Sequence, residues 1–127
     1  MNLQLEGKHA LVTGSAAGIG FAIAKGLPKE GASLSVNGRS TKRVDQALTA
    51  LNKAGVSGNL EGLAADLGTA DGTRATIDRF AEVDILVHNL GIFETKPFES
   101  ITDADWLHIF EGNMLSLVRL SRLYLPG

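Results

Sequence analysis

Glycines at positions 14, 18 and 20 constrain this chain more than any other feature, because of what stands on either side of them. Ahead of them, His9-Ala10-Leu11-Val12 is an apolar, strand-like run, and behind them residues 21–27 read as a helix. A strand that passes through a glycine turn directly into a helix leaves the first N–H groups of that helix without partners. It also brings the positive end of the helix dipole to the same point, which suits a phosphate anion. In Thr13-Gly14-Ser15-Ala16-Ala17-Gly18-Ile19-Gly20, Gly14 permits the tight turn, Gly18 lets the backbone approach a ligand, and Gly20 lets helix and strand pack closely. The spacing is Gly-x-x-x-Gly-x-Gly rather than Gly-x-Gly-x-x-Gly. Glycine triplets also mark ordinary turns; the strand-to-helix setting is what points to a dinucleotide pyrophosphate, with Ser15 and Ile19 inside the same loop.

Beyond the glycine run, strand and helix signals alternate. Residues 8–13 read as a strand and 19–27 as a helix that Pro28 should end or distort about one turn before Gly31. A second strand is expected over 33–37. Ser40 or Thr41 then caps a helix reaching about Ala54, with Val44, Ala47, Leu48 and Leu51 on one stripe. A third strand lies over 60–65 and a short helix over 69–81. Residues 84–88 form a compact apolar run, the mark of a strand buried on both faces. After a loop with Pro97, Thr102-Asp103-Ala104-Asp105 has the form of a capping box. It opens a long helix carrying Trp106, Ile109, Phe110, Asn113, Leu117 and Leu120. Alternation with short links implies a parallel sheet flanked by helices and joined by right-handed crossovers. A further strand would be expected after the last helix.

At 127 residues the chain is the size of one domain, and residues 1–127 are expected to form a single dinucleotide-binding unit. A net charge of −2 with mixed signs leaves no electrostatic footprint for nucleic acid. With no cysteine, disulfides and zinc–thiolate sites are excluded. His9, His88 and His108 are too scattered to suggest a metal. The first eight residues lack the basic start and apolar core of a secretory signal. The apolar runs fall far short of the ~20 residues of a membrane span. A cytoplasmic protein is expected.

With these elements in order, the chain resembles the N-terminal half of a short-chain dehydrogenase/reductase over nearly all its length. Thr13-Gly14 through Gly18-Ile19-Gly20 is similar to the cofactor glycine motif of that family. Asp66-Leu67, after the third strand, matches the pair that contacts adenine. His88-Asn89-Leu90-Gly91, after the fourth, stands where the family usually has Asn-Asn-Ala-Gly. Asn113 falls where the family keeps an active-site asparagine that holds a water in its proton relay. The resemblance implies an α/β fold: a partial Rossmann-type doubly wound parallel sheet of strand order 3-2-1-4, in three αβα layers.

NAD-using dinucleotide folds commonly carry an acid about 20 residues past the glycines, bonded to the ribose hydroxyls. Here the segment is Val36-Asn37-Gly38-Arg39-Ser40. A carboxylate would repel a 2′-phosphate, whereas the Arg39 guanidinium can pair with it through two charge-assisted hydrogen bonds, beside Ser40. NADP(H) is therefore favoured over NAD(H), with a solvated Arg39 as the alternative. Neutral Ala16 and Ala17 stand where NADP users of the family often have a basic residue. Asp66 can instead cap the third helix. Asn89, Leu90 and Gly91 follow a strand at its carboxyl end, where open parallel sheets bind ligands. His88 reads as a structural variation rather than a catalytic group. Asn113, polar in an apolar stripe, must find partners, either in the proton relay or on the local backbone. Trp106 and Phe110 read as packing residues.

Family chemistry needs a tyrosine with a lysine four residues on, the pair meeting on one helix face, and a serine that orients the substrate oxygen. The one tyrosine, Tyr124, is followed only by Leu125, Pro126 and Gly127. The expectation is therefore a cofactor-binding portion of a short-chain oxidoreductase, truncated before the catalytic segment and inactive alone. The alternative is a non-catalytic nucleotide-binding or partner-pairing half-domain. Expected partners are the dinucleotide, a small carbonyl or alcohol substrate in the complete enzyme, and further copies of the chain through self-association. Neither nucleic acid nor membrane is expected.

Overall fold

The computed structural model describes residues 3–56, 59–92 and 95–126. Strands β1 (His9–Val12), β2 (Ser33–Gly38), β3 (Leu60–Ala64) and β4 (Ile85–Val87) form one parallel sheet in the order β3-β2-β1-β4. Leu11 pairs with Ser35 on one side and Leu86 on the other, so all the strands deliver their carboxyl ends to one edge of the sheet. Helices α1 (Gly18–Lys29), α2 (Thr41–Lys53) and α3 (Ala70–Arg79) are the crossovers between successive strands. The sheet is the expected one.

The core lies where β1 and β2 meet α1 and α2: Val12, Leu34, Val36, Ala24, Ala47 and Leu51 are buried together with Val56. In α2 the buried positions Val44, Ala47 and Leu51 recur at helical spacing, which is how a half-polar helix finds its inward face. Ser40 starts α2, its Oγ accepting from the Arg43 N–H at 3.2 Å. Pro28 lies inside the last turn of α1, which ends one residue later at Lys29. The proline shapes the helix end without cutting it a turn early.

Three expectations are corrected. Strand β4 is half-buried rather than covered on both faces, because among the described residues it pairs only with β1 and forms an edge of the sheet. The long final helix is interrupted: α4 (Asp103–Phe110) passes through a π-turn (Glu111–Leu115) into α5 (Ser116–Tyr124). Trp106 and Phe110 are not packing residues, being 55% and 49% exposed. The capping box of α4 forms as expected, with Thr102 Oγ1 accepting from Asp105 N and Asp105 Oδ2 accepting from Thr102 N. Among the described residues no helix is long and apolar enough to cross a membrane.

Candidate functional site

The loops leaving β1, β2 and β4 are locked together by two buried polar side chains that the sequence reading passed over. Asn37, at the end of β2, uses every polar group it has. Its Oδ1 accepts from Gly14 N (3.1 Å) and its Nδ2 donates to the Ala65 carbonyl (3.3 Å). Its own N–H donates to Ser15 Oγ and its carbonyl accepts from Ser15 N, both at 2.9 Å. Thr13, fully buried, does the same between β1 and β4: its Oγ1 accepts from Asn89 N (2.9 Å) and Leu90 N (3.1 Å). Asn89 Nδ2 returns a bond to the Gly14 carbonyl at 3.2 Å. Buried polar groups so fully satisfied hold one loop geometry rigidly.

The three glycines differ in what surrounds them. Gly14 sits at φ +60°, a left-handed turn. A Cβ at Gly20 would strike the Gly14 carbonyl and the Asn89 amide. Gly18, at φ +63°, has nothing within 4 Å of the place a Cβ would occupy, so its open side faces outward. Helix α1 begins there with Ala17 as N-cap, without a side-chain cap and without an acid in its first turn. Helices α2, α3 and α4 are all side-chain capped, by Ser40, Thr69 and Thr102. The first N–H groups of α1 thus lack the local acceptor that the other three have, and Ile19 stands 75% exposed beside them.

A groove of about 520 Å³ runs from this glycine loop past residues 37–40 to Leu90. Two guanidiniums line it, Arg39 and Arg43, both exposed. Neither makes an ion pair among the described residues. Arg43 was not singled out from the sequence. The available signal was its place one helical turn beyond Arg39, in a first turn that holds no acid. Gly14, Arg39, Ser40 and Leu90 therefore meet at one groove.

Asp66 and Leu67 are not among the residues lining that groove. Leu67 is fully buried. Asp66 does not cap α3, as the alternative had it. Its Oδ1 accepts from Gly68 N at 2.9 Å in a local turn, and Thr69 is the cap.

Gly91 and Asn113 meet on the far side of Leu90. Asn113 Oδ1 accepts from Ile92 N (3.0 Å) while its Nδ2 donates to the carbonyls of Ile92 (2.8 Å) and Ile109 (2.9 Å). It is bonded both locally and across to the β4 exit. His88 is half-buried, with Nε2 3.3 Å from Ser116 Oγ. Burial lowers its pKa, against a smaller opposing contribution from the Asn113 backbone. Tyr124 donates its hydroxyl to the Phe80 carbonyl at 2.7 Å, and burial pushes its pKa up to about 12.

Residues 8–127 match the sequence profile of the family described as short chain dehydrogenase. The chain belongs to the short-chain dehydrogenase family. It is 47% identical over 125 residues to the oxidoreductase YvaG of Bacillus subtilis, covering 98% of this chain and 47% of that protein. The L-sorbose reductase of Gluconobacter frateurii, crystallised with NADPH and L-sorbose, superposes with a TM-score of 0.89 at 32% identity. That match covers 99% of this chain and 49% of the reductase. A short chain dehydrogenase from Burkholderia cenocepacia in complex with NADP gives 0.84 at 31%, over 96% and 51%. The chain thus spans about half the length of the relatives it matches.

As a short-chain dehydrogenase, the protein is expected to hold a nicotinamide dinucleotide, and its own geometry fits one. The glycine loop offers an uncapped helix start, Gly18 leaves room beside it, and the groove runs from Gly14, Ala16 and Ala17 to two guanidiniums that make no ion pair among the described residues.

Proposed function

We propose that residues 1–127 form the dinucleotide-binding domain of an oxidoreductase that uses NADP(H) in preference to NAD(H) on a carbonyl or alcohol substrate. The observation that carries the cofactor choice is the pair Arg39 and Arg43 at the β2 end of the groove, with no carboxylate among the described residues that line it. A guanidinium meets a phosphate through paired, charge-assisted bonds, whereas an acid there would repel it. In this reading Gly14, Ser15, Gly18, Ile19 and Gly20 bind the pyrophosphate, and Arg39 and Ser40 hold the 2′-phosphate. Asp66 and Leu67, outside the groove lining, are assigned to the adenine on the family resemblance alone. Asn89, Leu90 and Gly91 border the nicotinamide, and Asn113 belongs to the proton relay. When bound, the nicotinamide supplies or accepts hydride.

Residues 1–127 alone bind without turnover in this proposal. Tyr124 cannot stand in for the proton donor of the family, because its hydroxyl is held by Phe80 and its pKa moves away from neutrality. The proposal includes self-association. Strand β4 offers an apolar edge, and Trp106, Leu107, Phe110 and Met114 lie exposed on the last helices. A cytoplasmic location is part of the same reading.

The test uses adenosine 2′,5′-bisphosphate and AMP as ligands. The bisphosphate should bind about 10- to 150-fold more tightly, the worth of a charge-assisted bond of about 1.5–3 kcal/mol. Arg39→Ala should remove most of that difference. Equal affinities for the two nucleotides in the unmutated chain would overturn the NADP(H) assignment.

A further inference from the structure

His88 stands where the family usually has asparagine, and its surroundings fix its chemical state. Ser116 is fully buried, and its hydroxyl has one hydrogen to give. That hydrogen goes to the Gly112 carbonyl, 2.7 Å away. With its hydrogen used, the Ser116 oxygen can only accept from His88 Nε2 at 3.3 Å. The hydrogen-bond network therefore assigns the Nε2–H tautomer. Nδ1 is left as a buried acceptor without a partner among the described residues.

The relay from His88 through Ser116 ends on the π-turn. The Ser116 N–H donates to the Glu111 carbonyl, five residues back. In an α-helix it would reach Gly112, four back, and the Ser116 hydroxyl takes its place there. The same turn grips the β4 exit at two more points. Gly112 packs against the Ile92 side chain so closely that a Cβ would collide with it. Asn113 binds the N–H and the carbonyl of Ile92. His88 and Ile92, four residues apart on one segment, thus hold the π-turn from both ends.

We infer that His88 is a positioning residue: as an Nε2–H donor to Ser116 it sets the π-turn, and through Asn113 the conformation of residues 90–92. The consequence for cofactor binding rests on the reading of residues 89–91 as the nicotinamide side of the site. The tautomer and the clamp do not depend on it.

The experiment uses the full chain with ¹⁵N-labelled histidine. At neutral pH the imidazole shifts should show hydrogen on Nε2 and none on Nδ1. Hydrogen exchange at the Ile92 amide, which the Asn113 side chain protects, should quicken roughly 2- to 10-fold in His88→Leu, the net worth of one hydrogen bond. His88→Gln, which keeps an amide donor near the Nε2 position, should restore slow exchange. Ser116→Ala serves where the leucine variant fails to fold: it should quicken Ile92 exchange and release the tautomer preference. An Nδ1–H tautomer overturns the inference, as does unchanged Ile92 exchange in a folded His88→Leu or Ser116→Ala chain. NADPH binding is followed separately. Weaker binding in the fast-exchanging variants supports the cofactor reading of the exit. Unchanged binding in those variants overturns that reading and leaves the clamp standing.

Discussion

Helices α1 and α4 begin in opposite ways. At α4 the helix start is closed by its own side chains: Thr102 and Asp105 bond reciprocally, and Asp103 adds a second acid to the first turn. Lys96 Nζ lies 3.0 Å from Asp105 Oδ2. At α1 there is neither cap nor acid, and a left-handed glycine opens onto free space. A start that satisfies its own N–H groups is complete without a ligand. One left open on a rigidly bonded loop offers donors to whatever anion arrives. Helix α2 lies between the extremes, capped by Ser40 yet flanked by Arg39 and Arg43 on the groove.

The glycine loop should be the less forgiving of the two regions. Gly20→Val places a side chain against the Gly14 carbonyl and the Asn89 amide. Overpacking of this kind costs about 1–3 kcal/mol, so the urea midpoint should fall sharply and nucleotide binding with it. A Gly20→Val chain of unmutated stability would refute the close packing.

Opening α4 should matter less. Thr102→Ala removes a cap worth about 1 kcal/mol and should leave NADPH affinity unchanged, as measured by denaturation and titration in parallel. A loss of affinity would mean that the two helix starts are not independent.

The smallest effect is one of pH. The Asp105 carboxyl is held down at about 2, chiefly by the Thr102 N–H it accepts and then by Lys96. A depressed carboxyl stabilises the fold above its ordinary value of about 4, and that contribution disappears as pH falls from there toward 2. Asp105→Asn should remove this part of the acid sensitivity, read from helical circular dichroism across that range. Identical acid curves for the two chains would show that the box contributes nothing.

The contrast between helix starts was legible in the sequence, because caps and turn glycines act over three or four residues. Thr102, Asp105, Ser40 and the spacing of Gly14, Gly18 and Gly20 announce themselves locally. The sheet order was legible through resemblance and the alternation of strand and helix. Asn37 and Thr13 were not, since their bonds join segments distant in the chain and nothing local marks a polar residue as a hub. The π-turn escaped notice because the apolar period runs on through residues 103–123, and a one-residue shift in the backbone ladder leaves it almost unchanged. Trp106 and Phe110 were misread for a related reason: periodicity names the apolar face of a helix without saying what lies against it. Strand β4 was read as buried on both faces from its composition, although the expected order 3-2-1-4 already made it an edge strand, and the edge position is what leaves it half-buried.

The central claim is that the open start of α1 is an anion receptor, and closing it tests that claim most directly. Ala17→Asp puts a carboxylate at the N-cap position, where it can accept from the α1 N–H groups as Thr102 does at α4. The substitution should raise stability by about 0.5–2 kcal/mol, the usual worth of a cap. It should also weaken NADPH binding, followed by cofactor fluorescence, by about tenfold or more, since like charges brought together cost several kcal/mol. An Ala17→Asp chain that binds NADPH as tightly as the unmutated one would contradict the account. So would a folded, unmutated chain with no saturable NADPH binding at all.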